Sequence, residues 1–425
     1  MSKITKAVLT AVYKTKPILI KIFPIDFLRE VKKKLVSNSY NKMLHLDIEN
    51  FDRCKYKDGI NLIGNIRAET GLGQSSRLIA NQLDNSNIEY SIYNYVQISA
   101  IRTNDTSCDS KISDNLPFNI NLIHINPHEL GLAFLKLDVS TWNCRYNIAF
   151  WLWELEEFPE EWIKCFHCLD EIWTPSEFTS NSIRKRTNLP VRTIPYCVTA
   201  PYDDNYNRDY FKLPNDKFLF LTMYDSTSVM ERKNPIGVIS AFKKAFGKTN
   251  NKVGLVIKVN NMQQRDLTTI NEILDGYNNI YIIADVLEKV QVNSLIKSVD
   301  VFVSLHRAEG FGLVLAEAML LGTPTIATNW SSNTEFMNEE VSCLVDYELV
   351  PIKENIGPFK KDYRWAEPKL EHAVSFMTKL YEDKDFYSNM AAKASIYIKD
   401  KLSMNRAVQL METRISEIYR GNKRS

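Results

Sequence analysis

From residue 59 onward, short continuous apolar runs alternate with stretches whose apolar positions recur every three or four residues. Runs at 60–66, 120–125, 146–152, 171–174 and 191–194 read as buried strands, and helical spacing follows at 73–83, 159–168 and 176–187. Strand and helix repeated in this order predict a parallel sheet covered by helices. A polar stretch rich in Asp, Asn and Tyr at 195–214 then reads as a linker. A second alternating series follows, with runs at 218–223, 254–259, 280–283, 301–305, 325–327 and 342–345. Helical stretches at 235–246, 266–274, 289–298 and 312–321 separate them, and 369–419 is helical throughout. The expected architecture is α/β: two facing, doubly wound Rossmann-like domains with a C-terminal helical tail. The expected boundaries are 1–45 for a basic amphipathic head, 46–205 and 206–395 for the two domains, and 396–425 for the tail.

Composition leaves this picture intact: 425 residues, 44% hydrophobic and 24% charged, suit a globular protein of two or three domains. The net charge of +2 gives no global reason to expect nucleic acid. It hides an asymmetry, because residues 1–42 carry ten Lys/Arg against Asp26 and Glu30, a head of +8 on a remainder of −6. Apolar groups lie between those lysines, while Pro17 and Pro24 limit any helix there to short pieces. The head is expected to dock on an anionic membrane surface, the competing reading being a solvated tail. No apolar run is long enough to span a bilayer and no cleavable leader pattern opens the chain, so the expected location is cytoplasmic and peripheral to the membrane. Seven scattered cysteines fit a reducing compartment. Cys165 and Cys168 form a C-x-x-C inside a helical stretch without a second pair, so no metal site is expected there.

The chemistry concentrates in residues 304–325, SLHRAEGFGLVLAEAMLLGTPT, where a strand runs through Glu309, Gly310, Phe311 and Gly312 straight into an apolar helix. Ligands of open α/β sheets sit beyond the carboxyl ends of strands, glycines let the backbone come close, and a helix start offers free N–H groups to a diphosphate. Glu317 lies within that apolar helix, where a charge is costly unless it has a partner. The partner is either a sugar hydroxyl or a neighbouring Lys or Arg. Two glutamates also suggest glycoside hydrolysis. Eight residues of helix, however, set their α-carbons about 12 Å apart and turn them away from each other, whereas hydrolase carboxylates face one bond.

This stretch resembles the E-x7-E signature of the retaining glycosyltransferases of family 4, which have the two-domain fold called GT-B. Gly322-Thr323-Pro324 and the segment 329–336 resemble the family too, and the likeness extends over roughly 59–400. It implies that Glu309 touches the donor sugar and Glu317 the ribose of the nucleotide. Glu231-Arg232-Lys233-Asn234-Pro235 resembles the family's basic motif, with Lys233 at the matching lysine. The family's further arginine has no counterpart in Tyr224-Asp225-Ser226-Thr227, a role that Arg232 is a candidate to fill. Lys258, ending a strand, is a second donor-side candidate. No Asp-x-Asp follows a strand, so the leaving diphosphate is expected to be met by side chains, with no metal or other cofactor.

In the first half, Gly71 and Gly73 open a helix after the first strand, and the resemblance places them by the donor phosphates; a plain tight turn is the alternative. His124, Asn126 and His128 follow the strand at 120–125, and any of the three could stand at the reaction centre. Trp153 and Glu154 lie in an aromatic, acidic block suited to an acceptor sugar, although core packing also suits the tryptophans. The resemblance implies transfer of a hexose (mannose first, glucose or N-acetylglucosamine next) from a nucleotide sugar to a glycan or lipid-linked acceptor. Its expected setting is bacterial surface polysaccharide assembly. A sugar-nucleotide epimerase of the same fold and a non-catalytic glycan-binding scaffold are the alternatives.

Overall fold

A computed structural model describes residues 34, 37–96, 102–226, 228–274 and 276–421, apart from the side chains of residues 135 and 265. It contains two six-stranded parallel sheets. The first is ordered β2-β1-β3-β4-β5-β6, with β1 Lys57–Gly64, β2 Tyr90–Asn94, β3 Phe118–His124, β4 Tyr146–Phe150, β5 Glu171–Thr174 and β6 Val191–Thr193. The second is ordered β12-β11-β10-β7-β8-β9. Its strands are β7 Phe218–Asp225, β8 Val253–Asn260, β9 Ile280–Ile283, β10 Val301–Ser304, β11 Thr325–Thr328 and β12 Cys343–Val345. A small antiparallel hairpin, β13 Tyr347–Pro351 with β14 Arg364–Pro368, is added to the second domain. This is the GT-B architecture with two doubly wound domains.

The central strands are buried on both faces, which is why their sequences are continuous rather than alternating. One polar feature interrupts the first sheet. Asn61, Asn121 and Asn147 lie at one level on β1, β3 and β4. Asn61 Nδ2 donates to Asn121 Oδ1 at 3.0 Å, and Asn121 Nδ2 donates to Asn147 Oδ1 at 2.8 Å. Their remaining amide groups bind backbone, so the ladder is satisfied and a slip of register would orphan it.

Strand order places the functional ends. In each sheet the chain reverses direction of travel at one point, between β1 and β3 and between β7 and β10. The crevice at such a switch point is where open sheets bind ligands. The helix Gly71–Asp84, opening with Gly71 and Gly73, follows β1, His124 ends β3, Arg232 and Lys233 follow β7, and Glu309 follows β10.

Both ends of the chain depart from the expected boundaries. Residues 37–43 are helical, and Tyr40 and Met43 pack into the first domain, with Tyr40 donating to the carbonyl of Pro127 at 2.7 Å. The first domain therefore begins by residue 37, and the basic head upstream of it lies outside the described residues. At the other end the helical tail is three helices, Leu370–Glu382, Lys384–Lys401 and Met404–Gly421, so a boundary at 395 would fall within the second. The last helix returns to the first domain. Arg414 forks onto the fully buried Glu171 of β5, with Nη2 to Oε2 at 2.6 Å, and Tyr419 donates to Asn119 of β3. Among the described residues, no helix is long and apolar enough to cross a membrane.

Candidate active site

The site is assembled where the loop after β10 meets the loop after β7. Met230–Lys233 forms a single helical turn that ends on Asn234 in the left-handed conformation (φ 52°). Asn234 then caps the helix Pro235–Phe246 by accepting from Gly237 N, with Pro235 at the first helical position. This tight reversal turns Arg232 and Lys233 toward β10. Lys233 Nζ donates to Glu309 Oε1, and Arg232 Nη1 lies 3.4 Å from the same oxygen while donating to the carbonyl of Ala308 at 2.9 Å. Arg232 Nη2 stands 3.8 Å from Glu154 of the first domain.

Glu309 is 8% exposed. Burial pushes its carboxyl up, but the charges of Lys233 and Arg232 outweigh burial and hold it down at about 2. Glu309 is thus an ionised hydrogen-bond acceptor and not a proton donor, which is the opposite of what a glycosidase acid needs. Its backbone is equally fixed: Glu309 N donates to Ser331 Oγ at 3.0 Å, and Ser332 Oγ donates to the carbonyl of Glu309 at 2.9 Å.

Gly310 and Gly312 have separate reasons for being glycine. A side chain on Gly310 would meet the Trp153 carbonyl of the opposite domain at 3.3 Å, while Gly312 has φ 93° at the cap of the helix Leu313–Leu320. Between them, Phe311 crosses the domain boundary edge-on to Tyr196, with ring centroids 4.9 Å apart. Eight residues after Glu309, Glu317 is 1% exposed and pairs through Oε1 with Lys289 Nζ at 2.5 Å. Its Oε2 is buried without a partner. Of the two expected partners the structure shows the lysine, on Oε1, while Oε2 has no donor among the described residues.

The first domain supplies fewer of the expected contacts. His124 is no free catalytic base. Its Nε2 is 2.6 Å from Ser75 Oγ, its ring stacks on Phe150, and burial lowers its pKa to about 4. Ser75 in turn bonds the Tyr196 hydroxyl, so His124 reaches the site only as the far end of a buried chain behind Phe311. Asn126 joins two strand ends by accepting from Leu152 N at 3.1 Å, and His128 is exposed beside Trp162.

Trp153 does not offer a face to an acceptor. It is 2% exposed, stacked on Phe359 and edge-on to Trp162, with Nε1 donating to the Glu157 carbonyl. Its neighbour Glu154 remains partly open, on the first-domain side of Arg232. Gly73 is required by packing, since a Cβ there would lie 1.9 Å from the Ala68 carbonyl; Gly71 faces open space. Lys258 is fully buried, with Nζ 2.6 Å from Asn260 Oδ1, and burial lowers its pKa to about 8 against the pull of Asp285 and Asp225.

Sequence reading missed the residues that close the two domains on each other. Ser176 Oγ is within hydrogen-bond reach of the Gly310 carbonyl (3.1 Å) and of Ser332 Oγ (2.9 Å). Glu335 accepts from the backbone N–H groups of Glu177 and Phe178 at 3.0 and 2.8 Å, capping a first-domain helix from the second domain. The hint was there: 329–336 resembled the family, and Ser176 opens a helix. Nothing in a linear pattern, however, pairs positions about 155 apart. Lys289 was missed for the same reason.

Residues 210–349 match the family described as glycosyl transferases group 1, a segment holding Arg232, Lys233, Glu309 and Glu317. No curated protein sequence matches the chain. Among solved structures, sucrose-phosphate synthase from Thermosynechococcus elongatus is 14% identical over 86% of this chain and 100% of that one, with a TM-score of 0.61. HepE of Anabaena, solved with UDP-glucose, is 12% identical over 85% and 100%, with a TM-score of 0.59. A glycosyltransferase from Rickettsia africae is 12% identical over 85% and 99%, also with a TM-score of 0.59. At such identities the likeness establishes the fold alone. GT-B architecture and a group 1 match over residues 210–349 together support a glycosyltransferase.

Proposed function

We propose that the chain transfers a hexosyl group from a nucleotide sugar to a glycan or lipid-linked acceptor, with retention at the anomeric carbon and without a metal. The reading rests on one observation: at the switch point of the second sheet, Glu309 is shared by Lys233 and Arg232 while Glu317, on the helix it leads into, keeps an orphaned buried oxygen. Glu317 Oε2 would accept from a ribose hydroxyl, which relieves the cost of a buried carboxylate oxygen without a donor. The diphosphate would draw Lys233 and Arg232 toward itself and lie near the start of Leu313–Leu320, leaving the Glu309 carboxylate to accept from the sugar hydroxyls.

As the glycosidic bond to phosphate breaks, negative charge grows on the leaving oxygen, and the two cations stabilise it there. The leaving phosphate oxygen takes the acceptor's proton, so no side chain need act as base. That suits a site whose one histidine at the β3 end is bonded away. The hexose is mannose first, with glucose and N-acetylglucosamine next, and the setting is bacterial surface polysaccharide assembly. A thermal-shift series with UDP, GDP, ADP and dTDP tests the donor assignment, because only a ligand bound to the native state raises its stability. One nucleotide should stabilise the parent and fail to stabilise Glu317→Ala. No response to any of the four would overturn the reading.

A further inference from the structure

We infer that Lys289 is a positioning residue for nucleotide recognition, holding one oxygen of Glu317 so that the other faces the ribose. The inference rests on the assignment of Glu317 to the ribose, and two independent observations carry it. First, the carboxylate is divided: Oε1 is paired with Lys289 Nζ at 2.5 Å, while Oε2, equally buried, has no partner. An ion pair serving stability alone would be expected to have both oxygens satisfied, since a buried carboxylate oxygen without a donor is a net cost.

Second, Lys289 stands where a cation is disfavoured. It is the first residue of the helix Lys289–Ser298, whose start is held by a reciprocal capping box between Glu288 and Gln291. The positive end of the helix dipole opposes an ammonium there, so the placement works against the helix and is offset by the link to Glu317. The capping box fixes the backbone at Glu288–Gln291, and Lys289 carries that rigidity onto the carboxylate. Its side chain is 34% exposed, so it is not itself a core residue. The ligand class is a ribonucleotide read through a ribose hydroxyl. Without the lysine, a carboxylate at 1% exposure would reorient and lose its single aimed acceptor.

The test pairs protein and ligand changes. Calorimetric titration of UDP, dUDP, GDP and dGDP into the parent should show one base preferred and its ribose form bound about tenfold more tightly than the 2′-deoxy form, the scale of one hydrogen bond to a charged group. Lys289→Ala and Lys289→Gln should shrink that ratio to about threefold or less, and Lys289→Arg should restore most of it. A merely structural lysine would instead weaken both forms equally and leave the ratio unchanged. An unchanged or larger ratio in both Lys289→Ala and Lys289→Gln would overturn this inference and leave the Glu317 assignment standing. A parent that binds none of the four, or binds ribose and deoxy forms alike, would overturn the assignment and the inference together.

Discussion

Lys233 and Glu309 meet across two neighbouring strand ends, the lysine after β7 and the glutamate after β10, and so join the halves of the second sheet at the point where its strand order reverses. The pair makes the pH behaviour of this region calculable in direction. Glu309 is held at about 2 in the folded chain, below its unfolded value near 4.3. Its contribution to stability is therefore complete above about pH 5 and is lost as pH falls toward 2. Denaturation of the parent and of Glu309→Gln, followed from pH 7 to 3, should show the parent losing stability relative to the variant below pH 5. Parallel curves across that range would contradict the ion-pair account.

The two cations should separate when removed singly. Lys233 is the more open and bonds only the carboxylate, so Lys233→Ala should lower turnover by about 2–4 kcal/mol of transition-state stabilisation with a small loss of Tm. Arg232 is buried and also supports the Ala308 carbonyl, so Arg232→Ala should cost about 1–3 kcal/mol of stability besides any effect on rate. Kinetics and melting curves on the same preparations decide it, and a large Tm loss for lysine with none for arginine would reverse the roles. Because the proposed mechanism meets the diphosphate with side chains, turnover should also survive EDTA. Loss on chelation, restored by Mg²⁺ or Mn²⁺, would sink that part of the mechanism.

Most of the second domain was legible because its central strands are buried on both faces and read as unbroken apolar runs, as in Val253–Asn260; the edge strand Ile280–Ile283 and the helices at 235–246 and 289–298 also fall where expected. β2 was not legible, since Tyr90-Ser-Ile-Tyr-Asn alternates at the edge of its sheet and has no apolar run to find. Within the site, Glu309, Glu317 and Lys233 stood out as charges at strand ends or in an apolar helix. Their partners did not, because Lys289, Ser331 and Ser332 are ordinary surface-type residues until the fold brings them in. The surroundings of His124 were hidden for a related reason: Ser75, which lies against its ring nitrogen, is 49 residues earlier in the chain.

The domain closure seen here hangs on Glu335, which caps the helix Glu177–Arg184 from across the cleft. Glu335→Ala should leave each domain folded, cost about 1 kcal/mol as a lost helix cap, and favour a more open molecule. Small-angle scattering should then show a larger radius of gyration for the variant. Equal radii, with equal response to nucleotide, would mean that Ser176 and the Tyr196–Phe311 contact hold the closure without it.

The basic head yields the last prediction, and the described residues sharpen it. Tyr40 and Met43 anchor the end of that segment to the first domain, beside the helix Pro127–Lys136, and Lys164 Nζ donates to Asn41 Oδ1 at 3.2 Å. The chain that leads to the upstream residues is therefore anchored on the first domain rather than the second. Lys42 and Leu44 lie exposed at that junction, and Val139 is exposed in the same domain. If the head docks on anionic lipid, at about 1 kcal/mol for each basic residue near the surface, it would set the acceptor domain beside a lipid-linked substrate. The cut that tests this is residues 1–33, because a deletion through 42 would also remove Tyr40 and lose packing and charge together. Shortening by 33 residues should release the protein from phosphatidylserine vesicles and lower activity on a lipid-linked acceptor, while leaving Tm and nucleotide binding near the parent. Rising salt should weaken vesicle binding of the full chain, as expected of attraction screened over about 8–10 Å. Vesicle binding unchanged by that cut would return the head to a solvated tail.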